Sequence, residues 1–237
     1  MASTPPSLFF YFNDTPLHAR VPLKAMTSQG RRFDVACRMI RAALFRDGKF
    51  LPTAVSCWFS GDPAIPPVRV DLCGQDLETN QEEGRFRSEL AVARLLVAAM
   101  QDATGSGMEA RSGGIVVTTF PAGENPVTDF MATIDRARTT EGRITVLLHE
   151  SGSPLLSMDE DGNVATELDA NNPLAIIVGN HKGFPEEIEQ KLLDTCDHVA
   201  CIRISRPGDV EQVPVSYLGS HVIEMMLGTC WLSEDFE

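Results

Sequence analysis

Long apolar runs are missing from this sequence, and so are the short motifs that mark many familiar enzymes. No stretch approaches the roughly 20 apolar residues that a membrane-spanning helix needs. No basic start followed by an apolar segment indicates a secretory signal. The patterns GxSxG, GxxxxGK[ST] and HExxH are absent, and no GxGxxG follows the first predicted strand. We therefore expect a soluble, cytoplasmic protein without a membrane partner, and the usual hydrolase, nucleotide-binding and metalloprotease classes have no support.

Cysteine and histidine occur without the spacing that binds metal ions. The 6 cysteines form no CxxC pair, and only Cys196 and Cys201 lie close together. The 5 histidines show no ligand spacing either. We therefore expect free thiols, most of them buried, in a reducing compartment, and no metal site.

Positive charge is scarce, with 20 Lys and Arg against 33 Asp and Glu and a formal net charge of -13. A protein that binds a phosphate backbone usually exposes a basic surface, so the overall charge favours a small-molecule enzyme. The basic residues cluster in one place. That local footprint for a polyanion consists of Arg31, Arg32, Arg38, Arg41 and Arg46.

Short apolar runs alternate with amphipathic helical patterns along most of the chain. Several of the apolar runs are continuous, as expected for strands buried on both faces of a parallel sheet. The predicted strands are 8–12, 53–58, 68–72, 115–118, 144–148, 174–178 and 199–204. The predicted helices are 33–45, 86–100, 126–137, 185–195 and 216–227. This alternation predicts an α/β fold, a mostly parallel sheet with helices on both faces.

The segment 30–38 combines charged residues at a predicted helix start. It reads GRRFDVACR and contains Arg32, Asp34 and Arg38. An Asp–Arg pair four residues apart stabilises a helix by only about a few tenths of a kcal/mol, so the pattern equally fits a solvated helix start. In the functional interpretation, the arginines at the helix N-terminus bind phosphate and the carboxylate accepts a proton.

The segment 174–185 combines a buried strand, a turn bracketed by glycines and a helix start. It reads LAIIVGNHKGFP. Ligands of α/β proteins bind at the carboxyl ends of strands, and glycine lets the backbone approach a ligand closely. Many strand-to-helix turns share this pattern, so it indicates a binding site without identifying the ligand.

Together these segments resemble the archaeal family of tRNA pseudouridine N1-methyltransferases, within the SPOUT superfamily. That family has a GR-[MF]-D-x-x-x-R helix near the start and a [VL]-G-[DN]-H-x-G-[FM] turn late in the chain. Further similar pieces follow in the same order: GDPAIPPVRVD at 61–71, SGGIVV at 112–117, LHESG at 148–152, and the stretches 204–205 and 214–221. The similarity is collinear over about residues 8–228.

The resemblance implies one SPOUT-like domain over residues 1–237, with a C-terminal trefoil knot over about 174–230. It implies S-adenosylmethionine (SAM) as cofactor, bound against the knot loops, and a homodimer that completes the active site. Backbone groups would read the adenine edge, while Ile177, Val178 and Leu218 pack its faces. The full set of implied cofactor residues is Ile177, Val178, Gly179, Asn180, Ile204, Ser205, Val213, Pro214, Ser216 and Leu218.

The reaction implied by the resemblance is methyl transfer to N1 of pseudouridine in tRNA. Asp34 is implied as the base or orienting acceptor for the N1 proton. Arg32 and Arg38 would hold Asp34 ionised and bind a neighbouring phosphate. The target base would have to leave its stack to be reached.

The sequence departs from the family pattern at two places. Asn180 stands where the family usually has aspartate, and residues 206–213 replace a short Leu-Gly-Pro link. Two alternatives therefore stay open. One is the same fold acting on ribosomal RNA or another pseudouridine site, and the other is a degenerate knotted domain that binds RNA or protein without catalysis.

Overall fold

The structure is a computed structural model, and it describes residues 6–60, 64–80, 86–103, 109–112, 114–121, 124, 126–154, 156–158, 164–166, 173–180 and 183–201. The helices are η1 (Leu23–Ala25, a 3₁₀ turn), α1 (Phe33–Leu44), α2 (Gly74–Thr79), α3 (Glu89–Ala103), α4 (Pro126–Thr139) and α5 (Glu186–Thr195). The strands are β1 (Ser7–Phe12), β2 (Phe45–Arg46), β3 (Lys49–Phe50), β4 (Ala54–Phe59), β5 (Val68–Cys73), β6 (Glu109–Ser112), β7 (Ile115–Thr119), β8 (Ile144–Pro154), β9 (Leu156–Met158), β10 (Val164–Thr166), β11 (Leu174–Gly179) and β12 (His198–Cys201).

Within the described residues, the main sheet has 8 strands in the order β12-β8-β11-β1-β4-β5-β7-β6. The first five of these strands are mutually parallel, so their carboxyl ends meet at one edge of the sheet. The pairings β4–β5, β5–β7 and β7–β6 are antiparallel. The predicted α/β fold with a mostly parallel sheet is confirmed, with an antiparallel extension at one side.

Helices cover both faces of the sheet. Successive residues of a strand point to opposite faces, and in a strand such as β1 the residues on both faces are apolar. In β1, Leu8, Phe10 and Phe12 enter the core cluster that α1 and α3 cover. Phe9 and Tyr11 enter a second cluster that α4 and α5 cover. Strands that are buried on both faces read as continuous apolar runs, which is the pattern from which the parallel part was predicted.

The start of helix α3 differs from the sequence prediction, because contacts of residues before the helix decide where it begins. Helix α3 begins at Glu89 rather than at Phe86. The Phe86 ring is buried against the rings of Phe45 and Phe50, with centroids 6.2 and 5.1 Å away. Ser88 then accepts a hydrogen bond from the backbone N–H of Ala91 and starts the helix.

Several short elements were not predicted. The β2–β3 hairpin turns at Asp47 and Gly48, both at positive φ, which is the Asp-Gly turn that two-residue hairpins favour. Helix α2, strand β6 and the β9–β10 ribbon were also missed.

Part of the predicted fold lies outside the described residues. The last predicted strand is described as His198–Cys201, and the helix predicted at 216–227 lies outside the description. The predicted knot over about 174–230 and the homodimer therefore stay predictions. No helix in the described part of the chain is both long and apolar enough to cross a bilayer. Cysteines 37, 57, 73, 196 and 201 are free thiols.

Candidate functional site

The start of α1 lies at the carboxyl edge of the parallel strands. Helix α1 follows β1 and leads back to the parallel strand β4, so its first turn stands above the carboxyl ends of both strands. The Phe33 ring contacts Phe59 at the end of β4, with centroids 6.1 Å apart. Charged side chains in this turn are therefore held at the edge where α/β proteins bind ligands.

The loop before α1 is folded back on itself. The backbone N–H of Phe33 donates to the carbonyls of Met26 and Gly30, each at 3.1 Å. A Cβ on Gly30 would lie 2.7 Å from the Met26 carbonyl oxygen, so only glycine fits at this position. The glycine that opens the sequence motif is thus explained by close backbone packing.

Two consecutive arginines of this loop are in the left-handed backbone region. Arg31 has a φ of 48° and Arg32 a φ of 63°. This conformation costs a non-glycine residue roughly 1–2 kcal/mol, and such residues cluster at functional sites. Thr15, which is buried, donates its hydroxyl to the Arg31 carbonyl at 2.8 Å and helps to hold the turn. The turn directs Arg32 back onto the first turn of α1.

Arg32, Asp34 and Arg38 come together as an ion cluster. Arg32 Nε donates to Oδ1 of Asp34 and Arg32 Nη2 donates to Oδ2, both at 3.2 Å. Arg38 Nη2 lies 3.8 Å from Asp34 Oδ2. The Asp34 side chain is only 7% exposed, whereas those of Arg32 and Arg38 are 43% and 45% exposed. The cluster therefore presents two half-exposed guanidinium groups over a buried carboxylate.

The closest partner of Arg38 is a residue that the sequence did not single out. Arg38 Nε donates to Oε1 of Glu89, at the start of α3, at 2.7 Å. The hydrogen bond from Arg38 to Glu89 is the main cause that raises the pKa of Arg38 above its ordinary value. Further along α1, Arg41 Nε donates to the Phe86 carbonyl at 3.0 Å. Two residues of the predicted basic footprint, Arg38 and Arg41, therefore contact the start of α3, and Glu89 neutralises Arg38 there.

The glycine-bracketed turn follows β11 at the same edge of the sheet. The Gly183 N–H donates to the Asn180 carbonyl at 3.0 Å, and Gly183 has a φ of +77°. A Cβ on Gly179 would lie 2.9 Å from the Gly183 carbonyl carbon and 3.0 Å from the Phe184 ring. Residue 179 must therefore be glycine for this turn to close.

Asn180 ties this turn to the loop after β1. Its side chain is buried, and its amide nitrogen donates to the side-chain oxygens of Asn13 and Asp14. Asn13 and Asp14 belong to the same loop in which Thr15 holds Arg31. The two segments singled out in the sequence are thus joined at one edge of the sheet, through residues that the sequence analysis had not named.

The other implied cofactor residues fall into two groups. Ile177 and Val178 are buried in the core clusters on opposite faces of the sheet, and Gly179, which follows them, is half-buried. Outside the described residues lie Ile204, Ser205, Val213, Pro214, Ser216 and Leu218.

A bulge in β8 places a series of polar side-chain contacts beside the turn after β11. The register of β12 on β8 jumps from Leu147 to Ser153 between consecutive residues of β12. A Cβ on Gly152 would lie 2.5 Å from the Ala200 carbonyl carbon, so glycine is required there. His149 Nδ1 accepts from the Ser151 N–H at 3.2 Å, and its Nε2 lies 3.2 Å from Glu189 Oε1. Bulges often redirect side chains next to functional sites.

The polar groups around the turn suit a ligand that carries positive charge. Asp14 contacts Asn180, and Glu189 Oε2 lies 3.8 Å from where a Gly183 Cβ would stand. Carboxylates in these places would repel the pyrophosphate of a dinucleotide but attract a sulfonium or an ammonium group. The backbone N–H and C=O groups of such a turn are also the kind that read a base edge. The described carboxylates are therefore compatible with a positively charged ligand.

Comparison with models of known protein families gives no match. No curated protein matches the sequence either.

Proposed function

We propose that the protein is a SAM-dependent RNA methyltransferase with a SPOUT-like fold, and that it methylates N1 of pseudouridine in tRNA. The observation that carries the proposal is the meeting of two motifs at one sheet edge. The Arg32–Asp34–Arg38 cluster and the Gly179 turn are far apart in sequence, and the loop after β1 joins them. A methyl donor on the turn and an acceptor at the cluster would then be neighbours.

Asp34 is proposed to accept the proton of pseudouridine N1. That nitrogen is an imide-like N–H, which becomes nucleophilic as its proton leaves. A carboxylate offers about four lone-pair positions, and Arg32 uses one on each Asp34 oxygen. Lone-pair positions therefore remain for a substrate N–H, which has to come within hydrogen-bond reach for Asp34 to act as a general base.

Arg32 and Arg38 are proposed to hold the substrate. Their half-exposed guanidinium groups can bind a phosphate next to the target nucleotide while Asp34 stays in place beneath them. A base inside a stacked stem cannot reach a buried carboxylate, so the pseudouridine has to be looped or flipped out.

The turn after β11 is proposed to hold the cofactor, with Gly179 and Asn180 contributing backbone groups. Ile204, Ser205, Val213, Pro214, Ser216 and Leu218 would complete the site, as the family resemblance implies. When bound, SAM supplies a methyl group on a positively charged sulfur. Holding donor and acceptor in line would then provide much of the rate enhancement.

The test is transfer of a radiolabelled methyl group from SAM to tRNA transcripts. One transcript is modified by a pseudouridine synthase and the matched transcript retains uridine. We expect label only in the modified transcript, and nuclease digestion with mass spectrometry should locate it on N1-methylpseudouridine. Label in ribosomal RNA alone would indicate that the substrate is ribosomal RNA and not tRNA. No label in any RNA would reject the proposal.

A homodimer belongs to the same proposal, because the family completes its active site across two chains. Light scattering coupled to size-exclusion chromatography measures the mass directly. We expect about twice the 25.9 kDa of one chain. A monomer that is active in methyl transfer would remove the dimer from the proposal.

A further inference from the structure

Arg38 of the proposed substrate site is already occupied by a carboxylate. Its Nε donates to Glu89 Oε1 at 2.7 Å, whereas its Nη2 lies 3.8 Å from Asp34. The side chains of Arg38 and Glu89 are 45% and 36% exposed, so the pair is open to solvent. An incoming phosphate that uses the Nε side of the Arg38 guanidinium must therefore replace Glu89.

We propose that Glu89 is an internal competitor that occupies a phosphate subsite on the Nε side of Arg38, so that RNA takes this subsite only by displacing Glu89. The inference rests on the proposed function for the identity of the ligand, a nucleic-acid phosphodiester. Glu89 is a specificity-determining residue in this proposal and takes no part in the chemistry.

Displacement of Glu89 leaves the surrounding structure intact. The start of α3 is capped through the Ser88 hydroxyl and the Ala91 N–H, and this contact does not involve the Glu89 side chain. Arg41 holds the same segment by its bond to the Phe86 carbonyl. Asp34 keeps both hydrogen bonds from Arg32 when Arg38 turns outward. The subsite can therefore open by a side-chain rotation alone.

The consequence is discrimination between ligands by their number of phosphates. A mononucleotide replaces one charge-assisted contact by another and gains little. An RNA that makes several phosphate contacts gains enough from the others to displace Glu89. The net charge of -13 adds to this discrimination, because weakly bound anions are repelled by the protein as a whole.

The experiment measures binding of a fluorescently labelled tRNA transcript to wild-type protein and to Glu89→Gln by anisotropy. We expect the variant to bind about fivefold more tightly, which is within the range that an exposed ion pair contributes. Glu187→Gln is the matched control, since Glu187 is exposed on α5 and carries the same charge. In steady state, KM for tRNA should fall about fivefold in Glu89→Gln while kcat is unchanged.

Equal affinities of Glu89→Gln and Glu187→Gln would overturn the inference, as would the absence of tRNA binding by any variant. Glu89→Ala repeats the measurement without an amide that could keep a hydrogen bond to Arg38. Tighter binding without methyl transfer would leave the role of Glu89 standing and reject the proposed reaction. Methyl transfer with a tRNA affinity that Glu89→Gln leaves unchanged would reject the role of Glu89 and leave the proposed reaction standing.

Discussion

Replacing Asp34 by asparagine removes the negative charge between Arg32 and Arg38 and keeps the shape of the side chain. One of the two hydrogen bonds from Arg32 is lost, because the asparagine NH₂ is a donor that faces another donor. A hydrogen bond to a charged group contributes about 1.5–3 kcal/mol. The Arg32 side chain is 43% exposed, so solvent reduces the loss of stability to about 1–2 kcal/mol.

That loss corresponds to a melting temperature lower by about 2–8 °C for a chain of this size. The effect on the reaction should be much larger. A positioned general base contributes about a hundredfold to ten-thousandfold in rate, and Asp34→Asn should lose a factor in this range. SAM affinity should change little, because among the described residues Asp34 is joined to the Gly179 turn through the loop after β1.

The assay is single-turnover methyl transfer at saturating SAM, together with calorimetric titration of SAM and urea unfolding of the same preparation. Asp135→Asn is the matched control, since Asp135 is exposed on α4. A rate for Asp34→Asn equal to that of the control would remove Asp34 from the mechanism. A parallel loss of SAM affinity would instead place Asp34 in the cofactor site.

Two further predictions concern the stability of the fold, one at Asp197 and one at the bulge in β8. Burial raises the pKa of Asp197, but hydrogen bonds from Thr145 and the contact with Arg138 outweigh it and leave that pKa below its ordinary value. A carboxyl group whose pKa is lower in the folded than in the unfolded state stabilises the fold at a pH above the unfolded pKa. This stabilisation is lost as the pH falls through the folded pKa. Asp197→Asn should therefore cost about 1 kcal/mol at pH 7. The urea-unfolding difference between Asp197→Asn and wild type should shrink below about pH 4, and a constant difference would contradict the assignment. Gly152→Ala should destabilise the protein by more than about 2 kcal/mol and increase amide exchange in β12, because the added methyl meets the Ala200 backbone at 2.5 Å; protection equal to wild type would disprove the packing.

The parallel strands could be predicted from the sequence because each carries its own signal. Strands buried on both faces are apolar at every position, as in 174–178, and their order along the chain needs no partner to be recognised. Helix α1 was recognised in the same way, since its apolar positions repeat with helical spacing and its first turn carries Asp34. Glycine and asparagine at the end of β11 marked the turn.

The features that could not be predicted from the sequence depend on partners far away in the chain. Glu89 lies 51 positions from Arg38, and nothing in its own neighbourhood identifies it as the partner of an arginine. Asn180 lies 167 positions from Asn13. The bulge in β8 was missed because it depends on how Gly152 meets Ala200, although the glycine following His149 and Ser151 was a usable signal. The antiparallel strands β5 and β7 carry β-branched residues as the parallel strands do, so their direction could not be read. Strand β6 reads EARS and has no β-branched residue, so it was missed.

The most direct measurement is calorimetric titration of the protein with SAM, repeated with Gly179→Ala and Gly179→Val. An added Cβ at this position meets the Gly183 backbone at 2.9 Å and the Phe184 ring at 3.0 Å, so both variants should distort the turn, the valine more than the alanine. Urea unfolding confirms that the variants remain folded. We predict saturable binding at one site per chain that weakens in the order wild type, alanine, valine. Binding that both variants leave unchanged would place the proposed cofactor site elsewhere, and no binding by the wild-type protein would contradict the proposed SAM-dependent function.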